Sequence, residues 1–363
     1  MSRQTDILIV GGGLAGLRLA DLLHAEGRDF FLVERRNRLG GRIHTHHAGG
    51  SVYDLGPAWF WDGQPRMAAQ VARFALPVFE QHAVGDFRYE DAQGRIQQGH
   101  GYGSMRGSYR LQDGLTRLTG ALAHGLPTAH VQTGHAVTGL QRKVTGITAT
   151  LENGEEIVAR KVALALPPRL AAQIVYAPAL DADTLRRMQA VPTWMAGQAK
   201  ALAFYNEPFW RNQNLSGDAM SQRGPMVEIH DASPATGGPF ALFGFIGVPP
   251  AARLEETQLR HAVLAQVTRL FGAAAAHPLE IVIKDWAFDP ATATQADHAP
   301  LTAHPSYGLP AALRGLWNDQ LVFAGSEVAQ GFGGFLEGAL EAAEMAFAHL
   351  SETADKVEVG YAG

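Results

Sequence analysis

"DILIVGGGLAGLRLADLLHAEGRDFFLVE", residues 6–34, decides the fold. After Asp6 the run 7–10 is wholly apolar, too short for a buried helix, and ends on three glycines. It reads as a buried parallel strand. Residues 11–16 form a turn, and Leu19, Leu22 and Leu23 mark a helix that Gly27 stops. Residues 30–34 are a second apolar strand. Strand, turn, helix, strand is the start of a βαβ unit.

Gly11, Gly13 and Gly16 fit G-x-G-x-x-G. The first permits the tight turn, the second lets backbone approach a pyrophosphate, and the third lets helix pack on strand. Leu14 and Ala15 sit where the helix N-terminus offers N–H groups and a positive dipole end. Glu34 ends the second strand, 23 residues after Gly11, placed to accept hydrogen bonds from a ribose. Three glycines alone are weak evidence. With a strand before, a helix after and the acid in place, they predict a dinucleotide site.

The chain has 363 residues, which suggests about two domains. At 46% hydrophobic and 18% charged it buries a large core, and a net charge of −5 gives no reason to expect a nucleic-acid partner. There is no cysteine, which excludes disulfides, thiolate metal sites and any cofactor bonded to sulfur. "HTHH" offers His44, His46 and His47, but no carboxylate set accompanies them. It reads as a plain strand or loop, and no metal site is expected. Only "MSRQT" precedes the first strand, and no apolar run has the length of a membrane span. The expectation is a soluble, cytoplasmic protein with a polar tail at 351–363.

Further along, helices are expected at 66–76, 111–126, 256–272 and 333–350. A glycine-rich polar stretch fills 85–108. Strands alternate over 131–166, with a hairpin at Asn153–Gly154, and 193–250 is strand-rich and aromatic. Another buried strand covers 320–327, and no internal repeat is present.

The residues after Glu34, "RRNRLGGRIHT", add a second glycine pair and an arginine: Gly40, Gly41 and Arg42. They suit a long cofactor lying extended across the domain, with Arg35 beside the ribose acid and Arg42 on phosphate oxygens. Here the chain resembles the flavin amine oxidase superfamily, whose mark is this fingerprint followed by G-G-R. "YDLGPAWFW" (53–61) is similar to the family's D-x-G-x-x-W segment, where Gly56, Pro57 and Ala58 would pass the flavin ring. "HAVTGL" (135–140) is similar to the strand whose Val137 backbone would meet adenine. "LVFAGSEVAQGFGGFLEGALEAAE" (321–344) resembles the C-terminal block. There Gly325, Ser326 and Glu327 would meet the ribityl or pyrophosphate part. Gly334 and Phe335 would lie at the ring, and the Leu336 N–H would face its N1–O2 edge.

The resemblance also marks "KALAFYNEPFWR", residues 200–211. In the monoamine-oxidase branch a lysine there points at flavin N5 and holds a water. From composition alone Lys200 reads as a half-exposed strand lysine with its ammonium in water. The resemblance makes it a catalytic candidate. Phe335 would be one of two rings flanking the substrate, where many members carry tyrosine. The second ring falls by spacing near Gln295 and Ala296, and neither is aromatic. Trp286 would pack near the flavin. Trp59, Phe60 and Trp61 line the pocket or fill core. Amino-acid oxidases of the family carry an arginine after the "LGP" segment. Trp59 and Phe60 stand there, which favours a plain amine. Only about fifty residues separate "LGP" from "LQDGL", so the lid is short.

The fold class expected is α/β. A Rossmann-like FAD-binding domain takes 1–60, 111–175 and 296–350; a mixed-sheet substrate domain takes 61–110 and 176–295. The resemblance implies non-covalent FAD and a small amine substrate. It implies hydride transfer to N5, an imine that hydrolyses to an aldehyde, and O2 reduced to H2O2. A carbon-oxidising desaturase-type flavoprotein and a non-catalytic FAD-bound protein stand as alternatives.

Overall fold

A computed structural model of the chain describes residues 3–100, 103, 105–299, 301 and 303–359. Residues 360–363 of the expected tail lie outside the described residues.

The opening stretch folds as its pattern dictates. The strand Arg3–Val10 leads through the glycine turn into the helix Leu14–Ala25 and back to the strand Phe30–Glu34. These strands pair in parallel, and Arg3–Val10 also pairs in parallel with Glu156–Leu164. Among the described residues this sheet has eight strands. The hairpin of Gly146–Leu151 and Glu156–Leu164 turns at Asn153–Gly154, where Gly154 has a φ of +85°. Leu321–Phe323 returns late in the chain to pair with Glu156–Leu164. The helix Leu336–Val359 then packs beside Leu14–Ala25: Leu17, Leu23, Leu340 and Ala343 share one core.

Among the described residues the second sheet has seven strands in the order Glu280–Asp285, Ala199–Tyr205, Phe240–Ile246, Met226–Asp231, Leu215–Ser221, Asp86–Glu90, Ile96–Gly99. Ala199–Tyr205 has neighbours on both sides, and all seven of its residues are buried. Side chains alternate along it. Ala199, Ala201 and Ala203 pack under the helix Glu256–Phe271, with Val263 and Val267. Leu202 and Phe204 pack on the opposite face, against Tyr53, Leu55 and Trp59. Lys200 shares the parity of that second face, so its side chain is turned toward the segment 53–61.

Several elements differ from the sequence reading. The helix expected from 111 begins at Thr116, because Leu111 ends the strand Ser108–Leu111. The strand expected over 320–327 is only Leu321–Phe323, followed by a turn of 3-10 helix. The last helix continues to Val359 rather than ending at 350. The polar stretch 85–108 supplies the strands Asp86–Glu90 and Ile96–Gly99. The helix Ala182–Ala190 was not foreseen, although Asp181 caps it by accepting from the Thr184 N–H at 2.8 Å.

Gly16 holds helix to strand. A Cβ there would lie 1.9 Å from the Gly11 carbonyl oxygen. Gly16→Val should therefore cost about 3 kcal/mol, at the upper end for forced overpacking. Thermal unfolding should fall by several degrees; an unchanged midpoint would contradict this packing.

Candidate active site

The helix Leu14–Ala25 begins at Gly13 with no side-chain cap and no acid in its first turn. An uncapped N-terminus facing a cavity suits an anion. Glu34 is buried, and its carboxylate accepts the Gly12 and Arg36 N–H groups, each at 2.8 Å. Those bonds fix the carboxylate at the end of its strand. Arg35 donates to the Pro290 carbonyl at 3.0 Å. Arg36, which the sequence did not single out, binds Asp289 at 2.7 Å and Thr292 at 2.6 Å. The two arginines tie the loop 289–292 to the fingerprint.

A single cavity of 910 Å³ runs from this turn to the second sheet. Gly11, Gly13, Leu14, Ala15, Glu34 and Arg35 line one end, with Val137. Gly40, Gly41, Arg42, Gly56, Pro57 and Ala58 line its middle, with Gly325, Ser326, Gly334, Phe335 and Leu336. Gly56 is forced by close approach: a Cβ there would lie 1.9 Å from the Arg42 carbonyl oxygen. Gly16 and Glu327 stand behind the wall rather than on it. Glu327 is fully buried and pairs with Arg42 at 2.7 Å, while Arg42 also donates to the Ser326 hydroxyl at 2.9 Å. Burial works against the Arg42 cation, but the Glu327 carboxylate outweighs it and raises the pKa above the ordinary arginine value. Glu327 thus reaches the cavity through a guanidinium, not by its own oxygens.

The far end is aromatic and holds a buried cation. Lys200 is 6% exposed, lines the cavity, and donates from Nζ to the Gly56 carbonyl. The Phe243 and Phe245 rings lie 5.3 and 5.2 Å from Nζ. This overturns the snorkelling picture: no ammonium reaches bulk water from the centre of this sheet. Burial lowers the Lys200 pKa to about 8, with Asp54 opposing the shift. Burial pushes Asp54 up to about 7, against the Leu115 N–H, Arg110 and Lys200.

Trp59, Trp286 and Phe335 also line the cavity. The Trp59 indole donates to Gln81 at 2.8 Å, and that of Trp286 to the Leu55 carbonyl at 3.0 Å. Each tryptophan is both core and wall. Phe335 stacks on His304, 4.9 Å between centroids. Gln295 and Ala296 lie in the short 3-10 turn Gln295–His298, outside the wall, so no second ring comes from there. Trp194, Phe245, Gln198 and Glu228 line the cavity and were missed. Trp194 was visible, six residues before Lys200. Phe245 and Glu228 reach the wall only through strand pairing. His46 and His47 lie in the strand Thr45–Ala48.

Residues 86–348 match the family model for flavin containing amine oxidoreductases, and residues 9–74 match the NAD(P)-binding Rossmann-like domain. The chain belongs to the flavin-containing amine oxidoreductase family. It is 24% identical to a putative flavin-containing monoamine oxidase of Mycobacterium tuberculosis, over 95% of this chain and 96% of that one. It is 26% identical to a probable flavin-containing monoamine oxidase A of Dictyostelium discoideum, over 64% of this chain and 51% of that one. Cyclohexylamine oxidase from Brevibacterium oxydans shares the fold at a TM-score of 0.81 and 19% identity, covering 97% of this chain and 99% of that one. Putrescine oxidase bound to putrescine does so at 0.80 and 18%, covering 97% and 100%.

The enzyme's cofactor is FAD, and the residues present fit it. The uncapped helix start, the fixed Glu34 carboxylate and the Arg42–Glu327 pair all lie on or just behind one cavity of 910 Å³. Among the described residues no helix is long and apolar enough to cross a membrane.

The lysine's environment gives a pH signature. In the unfolded chain Lys200 would lose its proton near the ordinary value of about 10.4. In the fold it does so at about 8. Between these values the unfolded chain binds more protons, so this group's contribution to stability rises with pH. Chemical denaturation of the apoprotein should show Lys200→Met gaining on wild type as pH falls from 10 to 8. A pH-independent difference would contradict the lowered pKa.

Proposed function

We propose that this enzyme oxidises a primary or secondary alkyl amine at its α-carbon, in the half of the cavity walled by Lys200, Trp59, Trp286 and Phe335. The observation that carries the reading is Lys200, a lysine buried mid-sheet with Nζ against the Gly56 backbone and on the cavity wall. FAD held along this cavity would supply the two-electron acceptor for a hydride from the amine α-carbon, with O2 as the final oxidant and H2O2 as its product.

The chain's own residues bind, orient and move protons. The Phe335 and tryptophan faces hold the alkyl part and give weak cation–π attraction to an amine before it loses its proton. The same rings keep bulk water out, which strengthens each polar contact inside. Lys200 holds one water by hydrogen bond, and a pKa of about 8 lets it take or give a proton near neutrality. That water attacks the imine, giving an aldehyde and ammonia or a smaller amine. Over the cycle, amine, O2 and water become aldehyde, ammonia or amine, and H2O2.

Proposed cofactor contacts follow the cavity from end to end. Gly11, Gly13, Leu14, Ala15 and Arg42 serve the phosphates, Glu34 and Arg35 the ribose, and Val137 the adenine. Gly40, Gly41, Ser326 and Gly325 line the middle, backed by Gly16 and Glu327. Gly56, Pro57, Ala58, Gly334 and Leu336 stand at the ring. No arginine stands at Trp59 or Phe60 to receive a carboxylate, which supports a plain amine. The names of the two fold neighbours, both alkyl amine oxidases, support the same class.

Anaerobic titration of the FAD-loaded enzyme tests the reading. Alkyl amines should bleach the flavin absorbance, and their α-carboxylated counterparts should do so at least tenfold more slowly. Bleaching by amino acids alone, or by no amine, would contradict it.

A further inference from the structure

A second, smaller pocket of 500 Å³ opens between the run 35–38 and the loop 284–291. Arg35, Arg36, Arg38 and Lys284 line it, with Asp289. Asp289 is shared: one oxygen meets Arg36 at 2.7 Å and the other meets Lys284 at 3.1 Å. Glu34 adds a carboxylate behind the wall, 3.7 Å from Arg36. Four cations thus face two carboxylates, in a chain whose net charge is −5. Arg35 and Arg38 give their bonds to backbone carbonyls, which carry no charge. Burial, and after it the Arg36 charge, hold Arg38 below the ordinary arginine pKa. His44 also lines the pocket, and burial with the Arg38, Lys284 and Arg36 charges lowers its pKa to about 4. The imidazole is therefore neutral at neutral pH and leaves the balance positive.

Like charges gathered in a concave site repel one another, and a bound anion relieves that repulsion. Guanidinium groups beside an ammonium suit phosphate oxygens. The cations stand on both sides of the pocket, which suits a diphosphate better than a single phosphate. Phe288 lines the same pocket and is 47% exposed, with His298 meeting its ring edge-on at 5.3 Å. An accessible phenyl face beside a phosphate site suits a stacked base.

We propose that this pocket binds a nucleoside diphosphate, and that binding slows the release of FAD. The phosphates bridge Arg38 and Lys284, and the base lies on Phe288. The coupling follows from a wall that the two cavities share: Arg35, Arg36, Pro290 and Ala291 line both. Arg38 donates to the Gly41 carbonyl at 3.0 Å and the Ile43 carbonyl at 3.1 Å, and so holds the Gly40–Arg42 turn at the cofactor cavity. The Lys284 ammonium lies 4.5 Å from the Trp286 ring, another part of that cavity's wall. A ligand joining Arg38 to Lys284 braces both pieces. By linkage, FAD and the diphosphate strengthen each other's binding by the same factor.

The test adds ADP or inorganic pyrophosphate to the FAD-loaded enzyme, at constant ionic strength set with KCl. Isothermal titration reads binding, and the fluorescence of FAD released in mild urea reads retention. ADP should bind saturably, about tenfold tighter than pyrophosphate through its base, and should slow FAD release. Lys284→Gln should weaken both ligands about tenfold, and Phe288→Ala should bring ADP down to the affinity of pyrophosphate. ADP that speeds FAD release has entered the dinucleotide cavity instead and overturns the proposal. Absence of saturable binding to wild type overturns it without any variant, as does binding that Lys284→Gln leaves unchanged. Equal wild-type affinity for ADP and pyrophosphate overturns the nucleoside assignment.

Discussion

Burying an ammonium in the middle of a sheet is the constraint on which the site depends. An isolated charge there costs several kcal/mol. Lys200 offsets that cost through the Gly56 carbonyl and two phenyl faces. The first of these requires the segment 53–61 to lie directly over the second sheet. The contact that keeps Lys200 tolerable therefore also closes one end of the cavity. Trp286 repeats the arrangement by donating to the neighbouring Leu55 carbonyl. Two buried donors, Lys200 and Trp286, grip one short backbone stretch at Leu55 and Gly56.

The other end follows different physics. It offers the direction of a helix, fixed carboxylates and guanidinium groups. Arg42 and Glu327 form a buried pair whose net stabilisation is small by general rule, but removing either partner leaves an uncompensated charge. Such a pair fixes geometry more than it adds stability. It holds the Gly40–Arg42 turn against the Ser326 segment, and so sets the width of the cavity between them. The cavity thus has one polar end and one aromatic end. Among the described residues, Lys200 and Glu228 are charged side chains that line the second end.

Local signals made the first end legible. Gly11, Gly13, Gly16 and Glu34 carry their meaning within one βαβ unit, where spacing and geometry are tied by short-range physics. Lys200 was visible because an apolar run with one cation is conspicuous, but its burial was not. A strand cannot announce that both neighbours will cover it; that depends on 240–246 and 280–285 arriving from far along the chain. Glu228 and Phe245 gave no signal for the same reason, since only register places them beside Lys200. Gln295 and Ala296 lie outside the wall. Trp194, one of the rings that line the wall, lies in the irregular run before the strand, where no periodicity points to it.

The central claim is that Lys200 holds a reactant at the cofactor rather than merely filling the sheet. Stopped-flow measurement of the two half-reactions of Lys200→Met tests it most directly. Methionine keeps the stem's volume and suits the apolar strand, so FAD content should hold. Loss of a group that orients water should slow reoxidation or imine release by about a hundredfold. Rates within about threefold of wild type in both half-reactions, a difference well under 1 kcal/mol, would contradict the account.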